Sequence, residues 1–147
     1  LSKRKKIIFG FILLLLVGTF FSNRASAKVK LDTVLTTNGL DEDGLPSKFK
    51  NVFVLDKDPA VQYYVNWKDD NRPHKVLVEW LGPQKQVINQ LKLSNFVGNT
   101  VKSYISLEEK VKKQIVVPNQ PGEYFIKLYI DKELIAITKF KLKEVID

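Results

Sequence analysis

Residues 28–147 are expected to fold as an all-β protein, an antiparallel sandwich of about seven short strands, preceded by an N-terminal signal helix. Three observations carry this expectation. Apolar and polar residues alternate with period two along most of the chain beyond residue 28, the pattern of strands with one dry and one wet face. Clusters of Gly, Pro, Asn and Asp interrupt the alternation about every 8–12 residues, the spacing of sandwich turns. Cysteine is absent, so the domain depends on a packed interior rather than on disulfides.

Residues 1–27 stand apart from the rest. "LSKRKK" supplies four cations and no acid, "IIFGFILLLLVGTFF" (7–21) is a run of 15 uncharged residues, and "SNRASA" sets Ala25 and Ala27 in an A-x-A cleavage pattern. A membrane span needs about 20 apolar residues, so this run has the length of a signal-peptide core. The expectation is a secretory signal peptide over 1–27, a β-sandwich domain over 28–147, and a secreted or extracytoplasmic location, in a periplasm or at a cell surface. Membrane contact is expected only through this segment, where it stays uncleaved.

The leader also dominates the charge. The chain has 24 Lys and Arg against 16 Asp and Glu, a net +8, but five of the cations precede residue 28 and leave +3 on the remainder. Arg72 is the single arginine there. Nucleic-acid recognition needs a clustered basic face, so nucleic acid is excluded as a partner.

Taken in order, "KVKLDTVLTT" (28–37) reads as a first strand and "NGLDEDGLPS" (38–47) as an exposed loop. "FKNVFVLDKDP" (49–59) is semi-extended. In "VQYYVNW" (61–67), Val61, Tyr63, Val65 and Trp67 face one way and Gln62, Tyr64 and Asn66 the other. "KDDNRPH" (68–74) is a charged turn. A hairpin follows: with "GPQK" (82–85) as its loop, Trp80 pairs with Val87, and Val76, Val78, Trp80, Val87 and Leu91 share the inner face, opposite Glu79, Gln86 and Gln90. "TVKSYISL" (100–107) is a strand with Val101, Ile105 and Leu107 inside. Ser106 and Glu109 stand at capping-box spacing, predicting one or two helical turns up to Lys113.

The last hairpin, "GEYFIKLYIDKELIAITKFKL" (122–142), has Tyr124, Ile126, Leu128 and Ile130 as one inner set and Leu134, Ala136, Thr138, Phe140 and Leu142 as the other. Both sets share a face only if paired residue numbers sum to an even number. Ile130 is then expected opposite Leu134 across a three-residue loop, Asp131-Lys132-Glu133. Such loops favour glycine in the left-handed position, so a strained turn is expected.

Several of these segments together resemble exported bacterial modules with immunoglobulin-like β-sandwich domains. The residues concerned are Asp41, Gly44 and Pro46 in the first loop, then Pro59, Val61 and Trp67, then Val78, Trp80 and Pro83, and finally Pro121, Gly122, Tyr124 and Phe140. The resemblance implies an immunoglobulin-like antiparallel sandwich serving as an accessory or binding module. It implies no catalytic residues.

Chemistry-bearing residues are sparse. His74 is the only histidine, and in its charged turn it reads as a solvated bystander, so no enzyme activity and no cofactor are expected. Asp41, Asp43, Asp56 and Asp58 are weak candidates for calcium ligands; "DEDG" fails the EF-hand pattern because Gly39 and Lys50 occupy the first and last ligand positions. A sharper candidate is a patch on the outer face of the last hairpin, Phe125, Lys127, Tyr129, Ile135 and Ile137, where rings and aliphatic side chains lie between lysine stems. The expected function is a non-catalytic binding module contacting a protein or cell-envelope component. Alternatives are glycan binding through the outer aromatics, or assembly by addition of the 28–37 strand to a neighbour.

Overall fold

In the computed structural model, residues 29–108 and 114–146 are described. The signal segment and the capping-box Glu109 lie outside them. Eight strands form where the alternation is strongest: β1 (Leu31–Thr37), β2 (Val52–Val54), β3 (Ala60–Trp67), β4 (His74–Leu81), β5 (Val87–Phe96), β6 (Thr100–Ser106), β7 (Gly122–Ile130) and β8 (Glu133–Lys143). They make two sheets, ordered β1-β3-β6 and β2-β8-β7-β4-β5. The semi-extended segment resolves into β2, which runs parallel to β8. All other pairings are antiparallel.

The alternating residues meet between the sheets as the pattern requires. Val61, Tyr63, Val65 and Trp67 of β3 are completely buried, facing Val78 and Trp80 of β4 and Ile126 and Leu128 of β7, which are equally buried. Rings lock the centre: Trp80 meets Tyr63 edge-on at 6.2 Å and Phe140 at 5.9 Å, while Tyr124 stacks on Phe140 at 5.3 Å. Such pairs contribute about 0.5–1.5 kcal/mol each beyond their buried area. The Trp80 indole N–H donates to Ser103 Oγ on β6 at 3.1 Å, a polar link across the two sheets.

Two features mark the sandwich as immunoglobulin-like. A buried Trp, Trp80, sits on β4 next to β7, as it does on strand C of that fold. At the start of β7 the Tyr124 hydroxyl donates to the Gln120 carbonyl at 2.6 Å, the tyrosine-corner arrangement of that fold. Ile126, two residues on, occupies the place where antibody domains carry a cysteine, and it is completely buried. Apolar packing replaces the missing bridge.

Both hairpin registers depart from the expected ones through bulges. In the first, Gly82 N–H donates to the Gln86 carbonyl at 2.8 Å and Lys85 takes the left-handed position (φ 60°). The loop is therefore Pro83-Gln84-Lys85, three residues rather than four. Leu81 then pairs with Val87, and a bulge at Ile88 sets Trp80 opposite Asn89. Val87, expected inside, is outside; Ile88 is the buried residue, while Leu91 stays on the inner side opposite Val78.

In the last hairpin the even-sum pairing holds from Gly122↔Leu142 to Leu128↔Ala136, then shifts so that Tyr129 pairs with Leu134 and Ile130 with Glu133. The loop is the two-residue Asp131-Lys132, with φ of 52° and 69°, a type I′ geometry. The extra residue is absorbed as a bulge at Ile135. Ile135 consequently packs against the core instead of joining the outer patch, and Leu134 takes its place outside.

Candidate functional site

The outer face of the five-stranded sheet collects the residues that the core leaves over. Cross-strand pairing sets them in rows. The first row runs Leu134, Tyr129, Leu77, Lys92 across β8, β7, β4 and β5; the second runs Ile137, Lys127, Glu79, Gln90; the third runs Lys139, Phe125, Leu81, Val87. Two apolar rows thus bracket a polar one, in which Gln90 Nε2 donates to Glu79 Oε2 at 3.1 Å. Leu134 is 48% exposed and Ile137 53%. Phe125, Lys127 and Tyr129 are half-buried by their row neighbours.

Of the five residues expected to form the patch, the fold brings together Phe125, Lys127, Tyr129 and Ile137, and withdraws Ile135. It adds Leu77, Leu134 and Val87. Leu77 could not be recognised from local pattern, because its neighbour Tyr129 lies on a strand far along the sequence. Tyr64, which by alternation faces away from Tyr63 on β3, is buried as well.

Lysines border the apolar rows. Lys139 Nζ lies 5.7 Å from the Phe125 ring centre and 3.4 Å from Glu123. At the other end, Lys75, Lys92 and Lys132 surround a groove of about 380 Å³ whose apolar lining includes Leu77 and Tyr129. No acidic residue lines that groove among the described residues.

His74 is a buried residue, the first of β4, and not a solvated loop group. Its Nδ1 lies 2.7 Å from Asp131 Oδ2, and its Nε2 lies 2.9 Å from both carboxylate oxygens of Asp70. Burial alone would lower its pKa, but the hydrogen bonds to Asp131 and Asp70 outweigh burial and raise it. The His74 contact, helped by Arg72, holds the Asp70 carboxyl down at about 2. Asp131 is also lowered: burial opposes this, and the bonds from His74 and the Lys75 N–H overcome it. Both ring nitrogens of His74 are thus engaged by carboxylates, and the trio joins β4 to the β7–β8 turn.

Of the four aspartates considered for calcium, Asp41 and Asp58 use their carboxylates within their own loops. Asp41 Oδ1 accepts from the Asp43 and Leu45 N–H groups at 3.0 and 2.9 Å. Asp58 accepts from the Val54 N–H at 2.7 Å and pairs with Lys50 at 2.8 Å. Its pKa is lowered because Lys50 and Val54 outweigh burial. Asp56 has a left-handed backbone (φ 66°) at the turn after β2. Among the described residues no group of three or more Asp, Glu, His or Cys side chains is arranged to hold a metal ion.

No protein-family profile matches the sequence, and no curated protein matches it either. Among solved structures, an immunoglobulin-like protein from Pseudomonas aeruginosa is similar at TM-score 0.51 and 14% identity, covering 81% of this chain and 99% of that one. An alkylpurine DNA glycosylase, AlkC, from Pseudomonas fluorescens, in complex with DNA, aligns at TM-score 0.47 and 15% identity over 80% of this chain and 31% of its own. The first likeness agrees with the tyrosine corner and the buried Trp80: the fold is an immunoglobulin-like all-β sandwich.

Proposed function

We propose that this protein is an exported, non-catalytic interaction module that docks a protein or cell-envelope partner on the outer face of its five-stranded sheet. The observation that carries this reading is the set of exposed apolar side chains on this face, Leu134 and Ile137 on β8 and Val87 on β5, left open to solvent at the two sides of the sheet. Soluble proteins seldom leave such a surface uncovered unless it binds something. The sequence pattern of residues 1–27 supports export. The closed hydrogen-bonding of His74 supports a role without catalysis.

The test is a comparison of the domain with a Leu134→Asp, Ile137→Asp double variant, both immobilised and offered a cell-envelope extract. A component retained by the first and lost by the second, at unchanged melting temperature, supports the reading. Identical retention by the two refutes it.

A second reading, glycan binding, is favoured by the half-exposed rings of Tyr129 and Phe125, since sugar faces stack on such rings. Pulldown on insoluble polysaccharide separates it from the first. Binding abolished by Tyr129→Ala and Phe125→Ala, but indifferent to Ile137→Asp, identifies the partner as a glycan.

A further inference from the structure

We infer that the free edge of β5 is a strand-addition site for an extended acidic peptide from another protein. This edge adjoins the sheet face proposed above and shares its Lys92 groove, while the open backbone of β5 and the groove on its inner side are separate observations. β5 is the last strand of its sheet and ten residues long. Among the described residues only its first end is covered, where the Val116 N–H donates to the Ile88 carbonyl at 3.1 Å.

The direction of the edge groups follows from the register. The Gln90 N–H is bonded to its own neighbour's side chain, Asn89 Oδ1, at 2.9 Å, so Gln90 turns its backbone away from β4. Antiparallel pairs alternate in this respect with a period of two. Lys92, paired with Leu77, therefore also presents its N–H and C=O outward. That is the template an added strand uses.

Side-chain chemistry selects the occupant. A strand added to β5 sends alternate side chains to the two faces of the sheet. On the outer face it meets Lys92 and the groove bordered by Lys75 and Lys132. On the inner side it meets a second groove, about 230 Å³, between the β5 and β6 edges, lined by Leu91, Lys102 and Tyr104 among others. Leu91 and Leu93 are only half-buried, and Tyr104 is 56% exposed. Both grooves carry lysines, and neither has an acidic residue among its described lining residues. The fitting occupant alternates apolar residues, entering beside Leu91 and Leu93, with acids beside Lys92. A second copy of this chain fits poorly, because a symmetric β5–β5 pair brings the lysines of the same grooves together.

The test uses the intact 28–147 chain, a capped seven-residue peptide alternating valine and glutamate, its valine–lysine counterpart, and the glutamate peptide N-methylated on alternate amides. Amide hydrogen exchange followed by NMR reads the site. The expected result is slowed exchange at Lys92 on adding the glutamate peptide, with no effect from the N-methylated form. The lysine peptide should bind about fivefold or more weakly, the scale of a cross-strand charge pair. Lys92→Glu, an exposed change with no bearing on the fold, should bring the two peptides close to parity or reverse their order. The inference is overturned by any of three results: the Lys92 amide already protected without peptide, equal binding of the N-methylated peptide, or light scattering showing that the free domain dimerises through β5.

Discussion

Asp131 Oδ2 lies 2.7 Å from His74 Nδ1, fastening the tip of the last hairpin to the first residue of β4. Asp131 also accepts from the Lys75 N–H at 3.0 Å and donates its own N–H to the Lys75 carbonyl at 2.8 Å. These three bonds hold Asp131 in its left-handed conformation without glycine.

The trio makes stability depend on pH. The His74 pKa is raised on folding, so its contribution is complete below the unfolded value of about 6.5 and is lost as pH rises through the folded value. Asp70 and Asp131 are lowered, so theirs is complete above about pH 4 and is lost as pH falls, for Asp70 towards about 2. Melting temperature should therefore be highest between about pH 4 and 6.5 and fall above it, and His74→Gln should flatten the alkaline side. An unchanged slope in that variant would remove His74 as the cause. Asp131→Ala is expected to cost about 2 kcal/mol in urea unfolding, less than orphaning a fully buried charge, because Asp131 is 46% exposed and screened.

Two buried tyrosines should respond oppositely to loss of their hydroxyls. Tyr124 donates to the Gln120 carbonyl at 2.6 Å, so Tyr124→Phe should destabilise by about 1–2 kcal/mol. The Tyr63 hydroxyl is buried with Thr138 as its polar neighbour but with no hydrogen bond of ordinary geometry. Tyr63→Phe should be neutral or stabilising by up to about 1 kcal/mol. Parallel urea titrations decide both, and equal losses would contradict the assignment of the corner.

Ser103 tests the link between the sheets. Ser103→Ala leaves the Trp80 indole N–H without an acceptor inside the sandwich, and a loss of about 1–3 kcal/mol is expected. The shift should appear in the unfolding midpoint with an unchanged denaturant slope.

The type I′ turn offers a gain. Lys132 has φ of 69°, a conformation that costs a non-glycine residue roughly 1 kcal/mol. Lys132→Gly should recover about 0.5–1 kcal/mol, with Asp131 and its bonds kept. A decrease in melting temperature would show that the Lys132 side chain contributes more than its backbone strain removes.

The parts of the fold legible in the sequence are those where alternation is unambiguous. Val61, Tyr63, Val65 and Trp67 could be assigned inward because Gln62 and Asn66 between them are polar and set the phase, even though Tyr64 is also buried. Val87-Ile88 and Leu134-Ile135 are adjacent apolar pairs, and either member satisfies a period of two. The bulges fall at these pairs, so local pattern could not say which member enters the core. His74 was hidden for another reason: Pro73 and its charged neighbours spell a turn, while the carboxylate that buries it lies 57 residues away. The outer rows share this difficulty, since Leu77 meets Tyr129 only through the β4–β7 pairing.

The parallel ladder between β2 and β8 decides how the domain would respond to tension. Val52, Phe53 and Val54 pair with Lys141, Leu142 and Lys143, extended by the Lys141 N–H to the Asn51 carbonyl and the Leu55 N–H to the Lys143 carbonyl. A pull on the incoming end of β2 and the outgoing end of β8 runs along both strands in opposite senses. It loads these bonds together in shear instead of opening them one at a time like a zipper.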